Sequence, residues 1–281
     1  MAVIIPAHDL PLAAQAATFT EAFEGYVGGS FAMDATGLAR FLRVQGADLC
    51  YSCLARNAAG LCGFGYITRV GAIARLAGMG VIATARRTGV ARGLLLHLLE
   101  EARARRDRMM VLEVIEQNPA ACALYRREGF RKMGRFMRLA SSGAGRRAGN
   151  FRHVRRARGN FDGGRQPARG RTGIPELPWA ICRHAIARMI SGRAYLSGRA
   201  VVVIGDPAVA GPVRIHALAA VAPNEPDWAE MRKASAGVLG LHHGREFFAP
   251  PVFPEEFGTK LFAPLGFARE PLSQFLMRRD L

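Results

Sequence analysis

Residues 78–130 read GMGVIATARRTGVARGLLLHLLEEARARRDRMMVLEVIEQNPAACALYRREGF, and this stretch decides the fold. It opens as a strand ending at Ile82 and passes through Arg86-Arg87-Thr88-Gly89-Val90-Ala91 into a helix that begins near Val90. On that helix Val90, Leu94, Leu95, Leu98 and Ala102 recur at the helical period, so one face is apolar and packs on a sheet. MMVLEVI (Met109–Ile115) is almost continuously apolar, as expected of a strand inside a sheet. Asn118-Pro119 opens a second helix, with Asn as N-cap and Pro in the first turn, and Gly129 stops it.

A short joint between strand and helix is a site for an anion. Unpaired N–H groups converge at the helix start and the helix dipole adds partial positive charge, while Gly89 lets the backbone approach a phosphate closely. Arg86, Arg87 and Arg92 add formal charge, and Ala91 keeps the first turn small. Tyr125 follows Asn118 by about two helical turns, so the two share a face. Each also has a purely structural reading, Asn118 as a cap that needs no ligand and Tyr125 as a core aromatic.

Toward the N-terminus, residues 12–26 and 35–44 read as amphipathic helices, the second capped by Asp34. DLCYSCLA and LCGFGYITRVG follow as two strands joined at Asn57-Ala58-Ala59-Gly60, and a further strand spans 72–83. Helical and strand periods that alternate in this way predict an α/β (α+β) architecture.

Residues 141–175 carry nine Arg and eight Gly against one Asp, with few aliphatic residues to fix a fold, and read as a linker. The whole chain has 39 basic and 22 acidic residues, a net charge of +17, of which this linker supplies 9 − 1 = 8. Only Lys132, Lys233 and Lys260 are lysines, and so Arg-rich a composition follows from nucleotide bias as readily as from nucleic-acid binding. The expectation is a solvated connector without a nucleic-acid partner, an anion-binding arm being the alternative.

Five cysteines, Cys50, Cys53, Cys62, Cys122 and Cys182, form an odd, scattered set, and no signal segment precedes them, which points to the reduced cytoplasm. Cys50 and Cys53 make a C-x-x-C but lie in a strand pattern with no second pair, so no metal is expected. No apolar run approaches the roughly 18 residues of a membrane span.

From Pro175 the chain again alternates helix and strand, beginning with a helix in PELPWAICRHAIARM. Aligning Gly129-Phe130 with Gly266-Phe267 suggests a repeat, in which Tyr125 falls on Phe262 and Asn118 on Glu255. The loop equivalent to 86–91 reads APNEPDW, where Pro223 and Pro226 remove amide donors and Glu225 and Asp227 repel a phosphate.

The loop from Arg86 to Ala91, the LEV strand, Asn118 and the ALYRREGF run together resemble the acetyl-CoA-binding core of the GNAT superfamily of N-acetyltransferases, over residues 1–140. The resemblance implies a mixed central sheet flanked by helices, repeated after a 141–174 linker as a smaller, degenerate GNAT-like domain over 175–281. It implies that the amides of Arg87, Thr88, Gly89, Val90, Ala91 and Arg92, with Arg86 nearby, hold the pyrophosphate of coenzyme A. Strands splayed near Ile82 and Ile115 would admit the pantetheine arm, its amides pairing with Val81 and Ile82 and contacting Asn118. Tyr125 matches the family tyrosine beside the thioester sulfur, and a backbone N–H near Ile82 would hold the carbonyl oxygen.

The reaction expected is transfer of acetyl from acetyl-CoA to a primary amine by direct attack. A non-catalytic acyl-CoA-binding or regulatory module is the alternative, and a nucleic-acid-associated protein acting through the linker a third. Glu113 and Glu116 are candidates by position for the base, a water chain being another route, and His97 reads as structural or exposed. Residues 20–34 hold Glu21, Glu24 and Asp34 without Lys or Arg, which favours a small cationic acceptor unless these acids serve only as caps. The second domain would bind no acetyl-CoA, and the protein would be a monomer or a homodimer.

Overall fold

The computed structural model describes residues 2–141, 155–156, 192–220 and 227–281. They form two units, Met1–Met133 with Phe275–Leu281, and Gly134–Gln274. The expected boundaries follow the chain in order, whereas here the last residues of the chain belong with the first unit.

In the first unit the elements are β1 (Val3–Pro6), α1 (Leu12–Ala22), α2 (Ala35–Gln45), β2 (Ala47–Asn57), β3 (Gly60–Val70), β4 (Ile73–Val81), α3 (Val90–Ala104), β5 (Met109–Ile115) and α4 (Pro119–Arg127). Strands β1 to β4 pair antiparallel in succession, and α3 crosses over so that β5 pairs parallel to β4. Helix α1 ends at Ala22 rather than running to 26, because Glu24 and Tyr26 turn their N–H groups back to Glu21 and Phe23.

The glycines of β3 explain how α3 packs. A Cβ at Gly63 would lie 3.1 Å from a Leu94 methyl, and one at Gly65 would lie 2.6 Å from a methyl of Leu98. Strand alternation turns Phe64 to the opposite face, where it stacks on Phe19 of α1 at 5.0 Å. The α3 residues Val90, Leu94, Leu95, Leu98 and Ala102 are all buried, as their period predicts. This gives the mixed sheet with helices on both faces that was expected.

The second unit contains most of β6 (Arg131–Ser141), then β7 (Arg155–Arg156), β8 (Arg193–Ser197), β9 (Ala200–Ile204), β10 (Val213–Ala220), α5 (Trp228–Leu241), β11 (Phe247–Ala249) and the start of β12 (Phe267–Asp280). Strands β8, β9 and β10 are antiparallel, and α5 crosses over to β11, which is parallel to β10. Its core gathers Val202, Ile204, Ile215, Met231, Val238, Phe247, Phe253 and Phe262. The helix expected in PELPWAICRHAIARM, most of the 141–174 linker, Cys182, and Pro223, Glu225 and Pro226 of the APNEPDW loop lie outside the described residues. The far end of β12 returns to the first unit, where Leu281 donates its N–H to Arg108 O at 3.1 Å.

Candidate active site

Strands β4 and β5 pair only from Ile73↔Met109 to Leu76↔Leu112 and then part, though β4 continues to Val81 and β5 to Ile115. The parting starts at a bulge. On β3, Ile67 faces Leu76 and Tyr66 faces Gly78, so Ala77 has no partner and the strand bends there. Beyond it Ile82 donates its N–H to Cys62 O at 3.0 Å. Antiparallel bonds alternate in direction, so the N–H of Val81 points the other way, into the gap beside β5. The expected pairing therefore needs correcting for Ile82, whose amide is committed to β3, while Val81 keeps an amide directed at the gap.

The loop after β4 is held from within. Arg86 donates through Nε to Val81 O at 3.1 Å and through Nη2 to Ala22 O at 3.0 Å, tying together the ends of β4 and α1. Its guanidinium is thus spent on the scaffold. Thr88 Oγ1 donates to Ala85 O at 2.7 Å. Arg87 and Gly89 both take left-handed φ, +64° and +90°, and Gly89 leaves the start of α3 without a side-chain cap. Among the described residues, no hydrogen bond uses the amides of Arg87 through Arg92. These donors at a helix start, with Val90 buried as the anchor, form an open nest for an anion. Arg92, in the first turn, donates through Nε to Glu128 Oε1 at 2.7 Å.

Asn118 caps α4, its Oδ1 accepting from Ala121 N–H at 3.1 Å, and its side chain also hydrogen-bonds the Tyr26 hydroxyl. Tyr125 is 7% exposed, its ring edge-on to Phe130. Burial pushes the Tyr125 hydroxyl well above the usual tyrosine range, and the neighbouring Tyr26 and Cys122 push it further. Tyr26 thus lies near both Asn118 and Tyr125, and a Cβ on Gly28 would meet Ile115 of β5 at 2.7 Å. Sequence reasoning missed Tyr26. The sequence reading places it at the end of the amphipathic helix 12–26, whereas it lies past the last turn of α1.

Glu113, one candidate base, receives Arg75 Nε and Nη2 on Oε2, both at 2.8 Å, and Arg75 Nη1 donates to Gln45. The pair bridges β4 and β5 where they part. Glu116 lies just past β5 and His97 is half-buried on α3. Asp34 serves as a cap, accepting from Gly37 N–H at 2.6 Å. Glu21 and Glu24 instead line an open groove of about 590 Å³ with Ala17, Thr20, Phe31 and Met33. Thr20 Oγ1 closes one side by bonding the backbone of Met33.

Among the described residues no group of three His, Cys, Asp or Glu could hold a metal ion, and no helix is long and apolar enough to cross a membrane. Cys50 is exposed and Cys53 buried, and both are free thiols.

The sequence model of the Acetyltransferase (GNAT) family matches residues 20–130. No curated protein matches. Among solved structures, a putative acetyltransferase from Pyrococcus horikoshii superposes with a TM-score of 0.66 at 18% identity, covering 100% of this chain and 89% of that one. A GCN5-related N-acetyltransferase from Sphaerobacter thermophilus gives 0.63 at 12% identity, covering 99% and 95%. One from Anabaena variabilis gives 0.62 at 14%, covering 99% and 72%. At these identities the likeness is one of fold, over nearly the whole chain. The family match falls on the parted strands, the uncapped helix start and Tyr125, so residues 20–130 are similar to a GNAT-family acetyltransferase domain.

Proposed function

We propose that the first unit binds acetyl-CoA between β4 and β5 and passes its acetyl group to a primary amine by direct attack. The observation that carries this reading is the gap opened by the bulge at Ala77 beside the uncapped start of α3. The amides of Arg87–Arg92 would take the pyrophosphate, and the free edges of the parted strands, with Val81 and Asn118, would take the amides of the pantetheine arm. The fit is chemical: a row of donors for an anion opens onto an unpaired strand edge for a peptide-like chain.

As the amine nitrogen bonds to the carbonyl carbon, the carbon–sulfur bond breaks and the thiolate needs a proton. Tyr125, kept protonated by burial, would donate it. A backbone N–H near the end of β4 would hold the carbonyl oxygen as charge develops on it. The amine also loses a proton. The Arg75–Glu113 pair supports a part for Glu113 in holding β4 to β5, which leaves Glu116 or water for that proton.

The groove beside Glu21 and Glu24, with its apolar walls, supports a small acceptor that carries positive charge. The second unit is read as a degenerate copy. Both units cross from strand to parallel strand through a helix, but α5 is capped by Asp227, which accepts from Glu230 N–H at 3.0 Å where α3 is open. A carboxylate on these amides leaves no place for phosphate. The free thiols Cys50, Cys53, Cys62 and Cys122 support a reducing compartment such as the cytoplasm.

Screening amines for acetyl-CoA-dependent thiol release tests the reading. Release with a cationic amine supports it. Saturable coenzyme A binding without turnover on any amine would instead favour a binding module.

A further inference from the structure

We propose that Arg279, near the end of β12, is a positioning residue for the coenzyme site. It acts through Glu128 on Arg92, and the inference rests on α3 being the pyrophosphate cradle.

Helix α4 ends at Arg127, with Glu128 as its C-cap. Gly129 N–H bonds Arg126 O at 3.0 Å and Phe130 N–H bonds Tyr125 O at 2.9 Å, which settles two carbonyls of the last turn. The carbonyl of the C-cap residue Glu128 is met by Arg279, whose Nη1 donates to it. A cation at a helix C-terminus also opposes the dipole. Arg279 is in turn fixed by the strand that carries it, through Leu281 N–H on Arg108 O at 3.1 Å and Lys132 over the Phe275 ring at 3.9 Å.

Glu128 then faces the other way. Its side chain is 8% exposed and accepts from Arg92 Nε at 2.7 Å. A carboxylate so buried is tolerable only with a fixed cationic partner, so where Glu128 is held decides where Arg92 is held. Arg92 is itself 56% exposed. Its Nε is spent on Glu128, and its backbone lies in the first turn of α3, which follows Gly89. A guanidinium anchored by one edge and open at the other suits a phosphate oxygen pair.

The site read from residues 86–92 therefore depends on the far end of the chain, which reaches the first unit only after the whole of the second has been made. Arg279 touches no reactant. It fixes the cation that does.

The test uses the full chain and two acyl donors, acetyl-CoA and S-acetyl-pantetheine, which lacks the pyrophosphate and nucleotide. In Arg279→Gln, kcat/KM should fall about tenfold for acetyl-CoA, the size of one charge-assisted hydrogen bond, and stay within about twofold for S-acetyl-pantetheine. Arg92→Gln should behave likewise, and the double variant should be no worse than Arg92→Gln, since both remove one interaction. Should Arg279→Gln not fold, Glu128→Met keeps the backbone carbonyl contact and removes the acceptor for Arg92 Nε, with the same donor-selective loss expected. An equal fall with both donors would make Arg279 a general structural residue and overturn the proposal, as would no fall with either or additive losses. If Gly89→Asp still abolishes coenzyme A binding in that event, the cradle stands and only the relay is lost. If Gly89→Asp binds normally, both fall.

Discussion

The backbone N–H of Phe130 donates to the carbonyl of Tyr125 at 2.9 Å, and the two rings meet edge to face with centroids 5.8 Å apart. Gly129 between them takes φ of +83°, so the Y-x-x-x-G-F run is a helix stop in which the last aromatic folds back on the first. The second unit repeats it. Gly266 has φ of +85°, its N–H bonds Ala263 O at 3.0 Å, and Phe262 and Phe267 lie 5.1 Å apart. Phe262 has no hydroxyl where Tyr125 has one.

Tyr125→Phe keeps that ring contact and removes the proton donor. We expect kcat to fall about 10²- to 10⁴-fold, the usual worth of a general acid, with coenzyme A affinity unchanged. Steady-state kinetics with calorimetry on the same sample checks this, and full activity would return Tyr125 to the core.

The pH dependence follows from the upward shifts of Tyr125 and Tyr66, both caused first by burial. With an unfolded pKa of about 10, each contributes stability that is complete below pH 10 and is lost as pH rises through the higher native value. Denaturation midpoints should hold up to about pH 10 and decline above it, and kcat should show no loss of Tyr125 as acid below that point. A midpoint already falling between pH 8 and 9 in step with tyrosine ionisation would contradict the burial of these rings.

Arg75 and Glu113 are 7% and 8% exposed at the side chain. Removing one partner strands the other charge in the interior, so Glu113→Ala should cost about 3–5 kcal/mol in chemical denaturation. Glu113→Gln, which retains a polar partner, should keep most of kcat in the folded protein. Loss of kcat with stability intact would move Glu113 from strand pin to base.

Glu24 lines the groove and has no ion pair among the described residues. Glu24→Gln should raise KM for a diamine acceptor several-fold at low salt and less at high salt, because screening weakens the attraction. An acidic amino acid preferred over the diamine in the parent enzyme would remove the case for a cationic acceptor.

What the sequence made legible was local. The buried face of α3, the Asn118 cap and the Gly129 stop each depend on residues within a few positions, and the chain obeys them. What escaped depends on contacts far along the chain. Arg86 counts as a free charge until Ala22 O and Val81 O are seen to hold it. Tyr26 reaches Asn118 from a loop, and Arg75 finds Glu113 across two strands. Strand β1 is short, ends in Pro6 and sits at a sheet edge, where alternation has too few residues to show. The return of β12 to Arg108 crosses most of the chain and has no pattern of its own.

The most direct test of the account is coenzyme A binding to Gly89→Asp and Gly89→Ala by calorimetry. A Cβ at Gly89 meets nothing within 4 Å, so the two variants share the same strain from φ of +90° and differ only in the carboxylate. In α5 the carboxylate of Asp227 already caps the helix start, and an aspartate at position 89 would do the same to α3. Gly89→Ala should fold and bind coenzyme A more weakly but measurably, while Gly89→Asp should fold and not bind it. Unchanged affinity in folded Gly89→Asp would contradict the account.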